Sequence, residues 1–263
     1  MKLFIPLLLV LSLKVTIVRS QDSVNVRGID NIKLLPVLWQ QQSAEYAALC
    51  YQAFNLATYR LNDMKLKRRK RYAIITDVDE TVLDNSYFEA RQILKNEGFD
   101  PAAWKRWTSE AKATAVPGAI EFFKLAASKG VQIYYVSNRD TSEVASTIDN
   151  LKALGFPHAD REHMLFMDST SSKEPRRQHL LRNFEVVMMF GDNLNDFATV
   201  FERKSIPERN DETKKLRDEW GRKFIVLPNV IYGEWENALQ DYSRKLSPSQ
   251  KEILLRSKLQ TMQ

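Results

Sequence analysis

Two short acidic clusters, each closing an apolar run, constrain this chain of 263 residues more than any other feature. The first is Ala73-Ile74-Ile75-Thr76-Asp77-Val78-Asp79-Glu80-Thr81-Val82-Leu83. The second is Val186-Val187-Met188-Met189-Phe190-Gly191-Asp192-Asn193-Leu194-Asn195-Asp196-Phe197. An apolar β-branched run bounded by turn formers predicts a buried strand of a parallel sheet. Ligands of such sheets bind outside the carboxyl ends of the strands, where both clusters fall. Asp77, Asp79, Asp192 and Asp196 at one sheet edge repel one another unless a cation sits among them, and hard carboxylate oxygens suit Mg2+. A carboxylate can also be the nucleophile of phosphoryl transfer, through an aspartyl-phosphate. Mg2+-dependent hydrolysis of a phosphate ester uses both properties.

Around the clusters, strand and helix signals alternate. Residues 37–64 lack Gly and Pro and place Tyr46, Leu49, Ala53 and Leu56 at helical spacing, with a second row at Ala47, Tyr51, Phe54 and Thr58. Strands are predicted at Tyr72–Val78, Gln132–Ser137, His163–Met167, Val186–Phe190 and Lys223–Leu227. Helices are predicted from Pro117-Gly118 to Lys129, over Thr141–Leu154, over Glu174–Asn183, near Asn195–Lys204 and from Pro248 onward. The alternation implies right-handed crossovers and a parallel sheet with helices on both faces.

The acidic clusters carry a resemblance. Asp77-Val78-Asp79-Glu80-Thr81-Val82-Leu83-Asp84-Asn85-Ser86 and Gly191-Asp192-Asn193-Leu194-Asn195-Asp196-Phe197 resemble the paired signatures of the class C (DDDD) bacterial acid phosphatases. These form a branch of the haloacid dehalogenase superfamily that includes the lipoprotein 5′-nucleotidases. Further stretches are similar in order: Leu38-Trp39-Gln40 with Ser43-Ala44-Glu45-Tyr46, Ala115-Val116-Pro117-Gly118-Ala119, Val136-Ser137-Asn138-Arg139, Leu154-Gly155-Phe156, Ser172-Lys173, and Leu227-Pro228-Asn229 with Tyr232-Gly233. The resemblance implies an α/β, Rossmann-like core over residues 72–245 with a small helical cap lobe. The cap is expected to combine a short insert at about 84–115 with the N-terminal helical region 21–71, and 246–263 form a C-terminal helix.

Site roles follow from the same resemblance. Asp77 is implied as nucleophile, and Asp79, two residues on, as the acid that protonates the leaving oxygen. Helix capping would explain one of these aspartates but not the pair. Asp192 is implied as a direct Mg2+ ligand, Asp196 as a group behind it, and Asp79 as a ligand through its backbone carbonyl, so that Asp77, Asp79, Asp192 and Asp196 form the metal set. Ser137 and Lys173 are implied as phosphate holders, Lys173 offsetting transition-state charge. Asn138 and Arg139 follow Ser137, with substrate contact and loop support both open. Phe88, Trp104, Trp107 and Tyr232 fall in stretches that flank the cleft in relatives, where flat rings would sandwich a nucleobase or nicotinamide; the competing reading is core packing. A Tyr87-Phe88 pair replaces the family's proline and tyrosine there, which bears on substrate range. His158, His163 and His179 lack metal spacing and read as loop or surface residues.

Lys2 ahead of the apolar run Leu3–Leu13, with small side chains around Ser20, reads as a secretory signal over residues 1–20. Lys14 stops that run well short of a membrane span. Relatives that are lipoproteins need a cysteine after the signal, and Ser20-Gln21-Asp22 stands there instead, so export without a lipid anchor is expected. Without Lys2, Lys14 and Arg19, 36 basic residues face 33 acidic ones, a net +3 rather than +6. That mild excess favours small anionic substrates and not nucleic acid. The run Lys65-Leu66-Lys67-Arg68-Arg69-Lys70-Arg71 reads as a solvated helix end whose cations complement the dipole, having no interleaved aromatics to stack bases. Cys50, the single cysteine, forms no intramolecular disulfide and reads as a small buried side chain.

The expected activity is therefore a secreted, Mg2+-dependent acid phosphatase acting on phosphate monoesters, 5′-nucleotides and nicotinamide mononucleotide-like compounds foremost, as monomer or homodimer. Two other readings stand beside it: a non-catalytic storage or binding protein of the same fold, and a phosphoprotein phosphatase. All four aspartates are present, where a dead member would have lost one.

Overall fold

The computed structural model describes residues 33–243 and 246–261; the expected leader and the lead-in to residue 32 lie outside them. The core is a parallel five-stranded sheet. Its strands are β1 (Tyr72–Thr76), β4 (Gln132–Asp140), β5 (Met164–Met167), β6 (Glu185–Gly191) and β7 (Phe224–Val226), in the order β5-β4-β1-β6-β7. A two-stranded antiparallel ribbon pairs β2 (Leu83–Asp84) with β3 (Thr114–Ala115). The helices are α1 (Leu34–Gln42), α2 (Ala44–Asp63), α3 (Ser86–Lys95), α4 (Pro101–Ser109), α5 (Ala119–Ser128), α6 (Val144–Leu154), α7 (Glu174–Asn183), α8 (Ile206–Lys215), α9 (Glu234–Leu239) and α10 (Pro248–Ser257).

Every residue of β1 is buried, as a central parallel strand requires. Alternate side chains feed two cores. Ile74, Ile133, Tyr135, Met188 and Phe190 join α2 and α5 on one face, while Ala73, Ile75, Tyr134, Val136 and Met189 join Leu180 of α7, Phe197 and Phe224 on the other. Phe54 of α2 is the anchor of the first: its ring stacks on Phe190 at 5.7 Å and meets Phe122 and Phe123 at 5.8 and 6.0 Å. Gly118, at φ +85°, lets the turn into α5 pass against Tyr51 and Phe54, where a Cβ would come within 3.1 Å.

The buried stripe of α2 is Tyr46, Cys50, Phe54, Ala57 and Leu61. It takes one residue from each expected row, and Leu49 and Leu56 are exposed, because Cys50 and Ala57 are small enough for close helix approach. The basic run is not a helix end. The helix closes at Asp63, Met64 is extended, and Lys65–Arg71 form the loop into β1. Residues 195–204 make two 3-10 turns rather than the expected helix. The helix comes later, at α8, started by the Ser205–Glu208 capping box and Pro207. His163 is buried, not on the surface, with its ring between Asp160 and Gln132.

The β2–β3 ribbon forms the base of an insert made of α3 and α4. Helix α1 packs on α3, whereas α2 lies on the core against α5. The N-terminal helices therefore divide between insert and core. The tail helix α10 is tied to the α9 region through Lys251–Glu236 (2.7 Å) and Lys258–Asp241 (3.1 Å).

Candidate active site

The two acidic clusters meet at the carboxyl ends of β1 and β6, neighbouring strands. The Asp77 amide extends the ladder by donating to Phe190 O at 2.9 Å. Beyond it the chain turns tightly, with Val82 N and Leu83 N both donating to Val78 O, and Glu80 takes a left-handed conformation at φ +56°. On β6, Gly191 has a steric role: a Cβ there would overlap the Asp196 side chain, so only glycine lets Asp196 fold back beside the strand end. A capping box between Asn193 and Asp196 fixes that turn, and Asp196 Oδ2 accepts the Asn193 amide at 3.0 Å.

Asp77, Asp192 and Asp196 each offer an oxygen within 4.8 Å of the others. Lys173, at the start of α7 and 6% exposed, donates to Asp77 Oδ1 at 2.5 Å and Asp196 Oδ1 at 2.6 Å. Burial, then Asp196, Asp192 and Asp79, push the Asp77 carboxyl well above the ordinary carboxylate range, with Lys173 opposing them. Burial and then Asp196 push Asp192 up to about 7, against the Asn229 hydrogen bond. Burial works against the Lys173 ammonium, but Asp196 and Asp77 outweigh it and hold its pKa above the usual lysine value. Three acidic groups thus converge on one cation, and two bind protons more tightly than isolated carboxylic acids. Further positive charge would relieve them, and an all-oxygen set suits a hard divalent ion such as Mg2+.

Asp79 lines the same cleft and pairs with an arginine. Arg139, 4% exposed, grips its carboxylate with Nε at 3.0 and 3.2 Å and Nη2 at 2.7 Å. The guanidinium also donates to Thr147 at 2.9 Å and lies 5.6 Å from the Trp104 ring centre. Ser137 is fully buried; its hydroxyl accepts the Arg139 amide at 3.0 Å and donates to Asp79 Oδ2 at 3.5 Å. Asn138 lines the cleft, its Oδ1 accepting from Arg176 at 2.7 Å.

The cleft has a volume of about 730 Å3. Trp104 and Tyr232 line it, and so does Phe99, an aromatic not singled out from the sequence. Phe88 does not: it is 2% exposed and packs edge-on beneath Trp104 at 5.1 Å. Trp107 is also interior, donating to Asn85 Oδ1 at 2.8 Å. The Tyr232 hydroxyl hydrogen-bonds to Glu80, a wholly buried residue whose carboxyl is pushed well above its ordinary range by burial and then by Asp79, Asp192 and Asp84.

Three more residues support the site; Asn229 falls in a stretch the resemblance marks, while Arg176 and Arg177 carry no sequence signal of their own. Asn229 donates to Asp192 Oδ2 at 2.8 Å and accepts from Ile231 N at 2.8 Å, linking the aspartate cluster to the Tyr232 loop. Arg176 donates to Ser137 O at 2.6 Å and Ser172 O at 3.1 Å, tying the Lys173 loop to β4. Arg177, 1% exposed, donates to Asn195 O and Asp196 O at 2.8 and 3.1 Å. Only the fold brings these partners within reach.

Comparison with known proteins agrees with this architecture. The chain matches the model for HAD superfamily, subfamily IIIB (acid phosphatase), over residues 12–235. Its fold is similar to the class C acid phosphatase from Bacillus anthracis, with a TM-score of 0.84, 40% identity, and 89% of this chain and 99% of that one covered. The tungstate-bound crystal structure of that class C phosphatase matches at 39% identity with the same TM-score of 0.84, again covering 89% and 99%. Acid phosphatase 1 of Solanum lycopersicum is 24% identical over 128 residues, 46% of this chain, and the match spans half of that protein's length. The family match runs through both acidic clusters and every strand of the sheet, and the chain belongs to the HAD superfamily, subfamily IIIB, the acid phosphatases.

Proposed function

We propose that the protein is an exported Mg2+-dependent phosphatase that hydrolyses small phosphate monoesters, with 5′-nucleotides and nicotinamide mononucleotide-like compounds as its substrate class. One observation carries the reading: the Asp77 carboxylate stands in a cleft against Lys173 and within 4.8 Å of two further aspartates. The tungstate held by the Bacillus anthracis relative is a tetrahedral oxyanion, which adds weight to an oxyanion ligand.

In this reading an Asp77 oxygen forms a bond to phosphorus as the ester P–O bond breaks, and Asp79 gives its proton to the departing oxygen. Water then attacks the aspartyl-phosphate, Asp79 takes a proton from that water, and phosphate leaves with Asp77 restored. Lys173 offsets charge on the phosphoryl oxygens, while Asn138, held by Arg176, borders the phosphate. The residues that would hold Mg2+ are Asp77, Asp192 and the Asp79 carbonyl with Asp196 behind, both Asp196 oxygens being engaged by Lys173 and the Asn193 amide. When bound, that ion supplies charge neutralisation at the phosphoryl group. Trp104, Phe99 and Tyr232 supply apolar walls for the organic group.

The test is a hydrolysis panel of AMP, nicotinamide mononucleotide, a sugar phosphate and a phosphotyrosine peptide, with Mg2+ or EDTA. AMP and nicotinamide mononucleotide should turn over fastest, and EDTA should abolish all hydrolysis. A dominant rate on the peptide favours the phosphoprotein reading, and no turnover at all leaves the storage or binding protein. Export is tested by N-terminal sequencing of the protein recovered outside the cell, which should begin near Gln21. Among the described residues no helix is long and apolar enough to cross a membrane.

A further inference from the structure

The end of the sheet opposite the catalytic cleft holds a second cavity, of about 390 Å3. Arg60, Lys65, Arg222 and Lys223 line it, with Glu185 and Glu219 as the acidic members. Glu185 is already engaged by Lys70 at 2.5 Å, and the four lining cations form no ion pair among the described residues. Arg60 Nε is buried without a hydrogen-bond partner. Arg60 is half-buried, and a covered guanidinium nitrogen left without an acceptor favours an anion beside it.

The loop Lys65–Arg71, six of whose seven residues are basic, runs on from this cavity. Helix α2 has ended before it, so it does not serve as a dipole cap. The positive charge converges from three separate segments: the last turn of α2, this loop, and Arg222-Lys223 ahead of β7. A solvated basic loop would need no such convergence.

We propose that this end of the molecule binds a linear phosphate polyanion, a phosphodiester chain, with one phosphate entering the cavity against Arg60 and the rest following the basic loop. The recess favours a chain, since a flat bilayer surface reaches only protruding side chains. Nucleobases play no part. The Tyr72 ring is 7% exposed with its hydroxyl accepting the Lys67 amide at 3.0 Å, and the Phe184 ring is covered by Arg71 at 4.3 Å. Because β1, β6 and β7 all start at this end, a chain bound here leaves the catalytic cleft open to solution.

The test uses a fluorescent abasic deoxyribose-phosphate oligomer and an oligothymidylate of equal length. The intact protein should bind both equally. With roughly six phosphates neutralised, affinity should fall about 100-fold between about 50 and 150 mM salt. The triple change Lys67→Glu, Arg68→Glu, Arg69→Glu should abolish binding, and Arg222→Gln with Lys223→Gln should weaken it about tenfold, all with AMP hydrolysis unchanged. Absence of oligomer binding overturns the proposal. So does binding that survives the charge reversals but is lost in Trp104→Ala, which would put the oligomer in the catalytic cleft. Uptake of the protein by phosphatidylglycerol vesicles with no affinity for the oligomer would replace the chain with a bilayer.

Discussion

At Asp79 the most informative contact is the grip of Arg139. An acid must reach the leaving oxygen, yet this carboxylate is held by three guanidinium hydrogen bonds. Arg139 therefore sets where Asp79 points, and Arg139→Ala should cost about 10–100-fold in kcat, the scale of lost supporting contacts. The loss should be larger for alkyl phosphates, whose leaving groups need the proton, than for p-nitrophenyl phosphate. Equal losses on both esters, or a change confined to KM, would assign Arg139 to substrate contact instead. Asp77→Asn gives a complementary outcome: hydrolysis disappears, while melting temperature holds because one of three mutually repelling carboxyls is neutralised and Lys173 keeps Asp196. More than a few per cent of the original kcat would reject the covalent step. At Tyr232 ring and hydroxyl separate. Tyr232→Phe keeps the cleft wall but strands a buried Glu80 oxygen, at a cost of about 1–3 kcal/mol in stability, so calorimetry should register a change that AMP kinetics barely show.

At the scale of elements, sequence pattern and structure agree where one force dominates. Helix Glu174–Asn183 has the bounds its Pro and polar pattern predict, and the five core strands lie where the apolar runs place them. Disagreement arises where tertiary context decides. Residues 195–204 look helical, but Asp196 is drawn back under Gly191 and the chain breaks into short turns. α8 takes its start from the Ser205–Glu208 capping box, and α9, which has no side-chain cap, packs on α8. The acidic clusters were legible because charge repulsion leaves few uses for four aspartates at one sheet edge. Arg139 and Asn229 fell in stretches the resemblance marks, but their partners, like those of Arg176, lie 37 to 60 residues away and only the fold reveals them. The insert gives a prediction of its own. Trp104 stands on Phe88 and faces the cleft, so Trp104→Ala should raise KM for AMP by about 5- to 150-fold, the ~1–3 kcal/mol of a base–aromatic stack, while glycerol phosphate is little affected. A uniform loss with a lowered melting point would assign Trp104 to the core with Phe88.

At the scale of the molecule, the aspartates lie at the junction of the central strand and its neighbour: Asp77 follows β1, while Asp192 and Asp196 follow β6. A cation held there joins the two strand ends and relieves repulsion that the folded chain otherwise bears, and the unfolded chain has no such site. Mg2+ should therefore stabilise the protein whether or not it turns over substrate, by about 2.7 kcal/mol at a hundredfold excess over Kd. That is a readable rise in melting temperature, reversed by EDTA. The variants order the ligands. Asp192 reaches the site with one oxygen on Asn229 and the other 3.4 Å from the Thr81 hydroxyl, so Asp192→Ala should abolish the Mg2+-induced shift. In Asp196 both oxygens serve protein donors, so Asp196→Ala should keep a weakened shift, with metal affinity down about 10–100-fold. If Asp196→Ala removes the shift and Asp192→Ala keeps it, the order of the two aspartates around the cation is reversed. If Mg2+ shifts the melting temperature of neither the intact protein nor the variants, the carboxylates balance their charge with Lys173 and protons alone, and the metal-dependent reading falls.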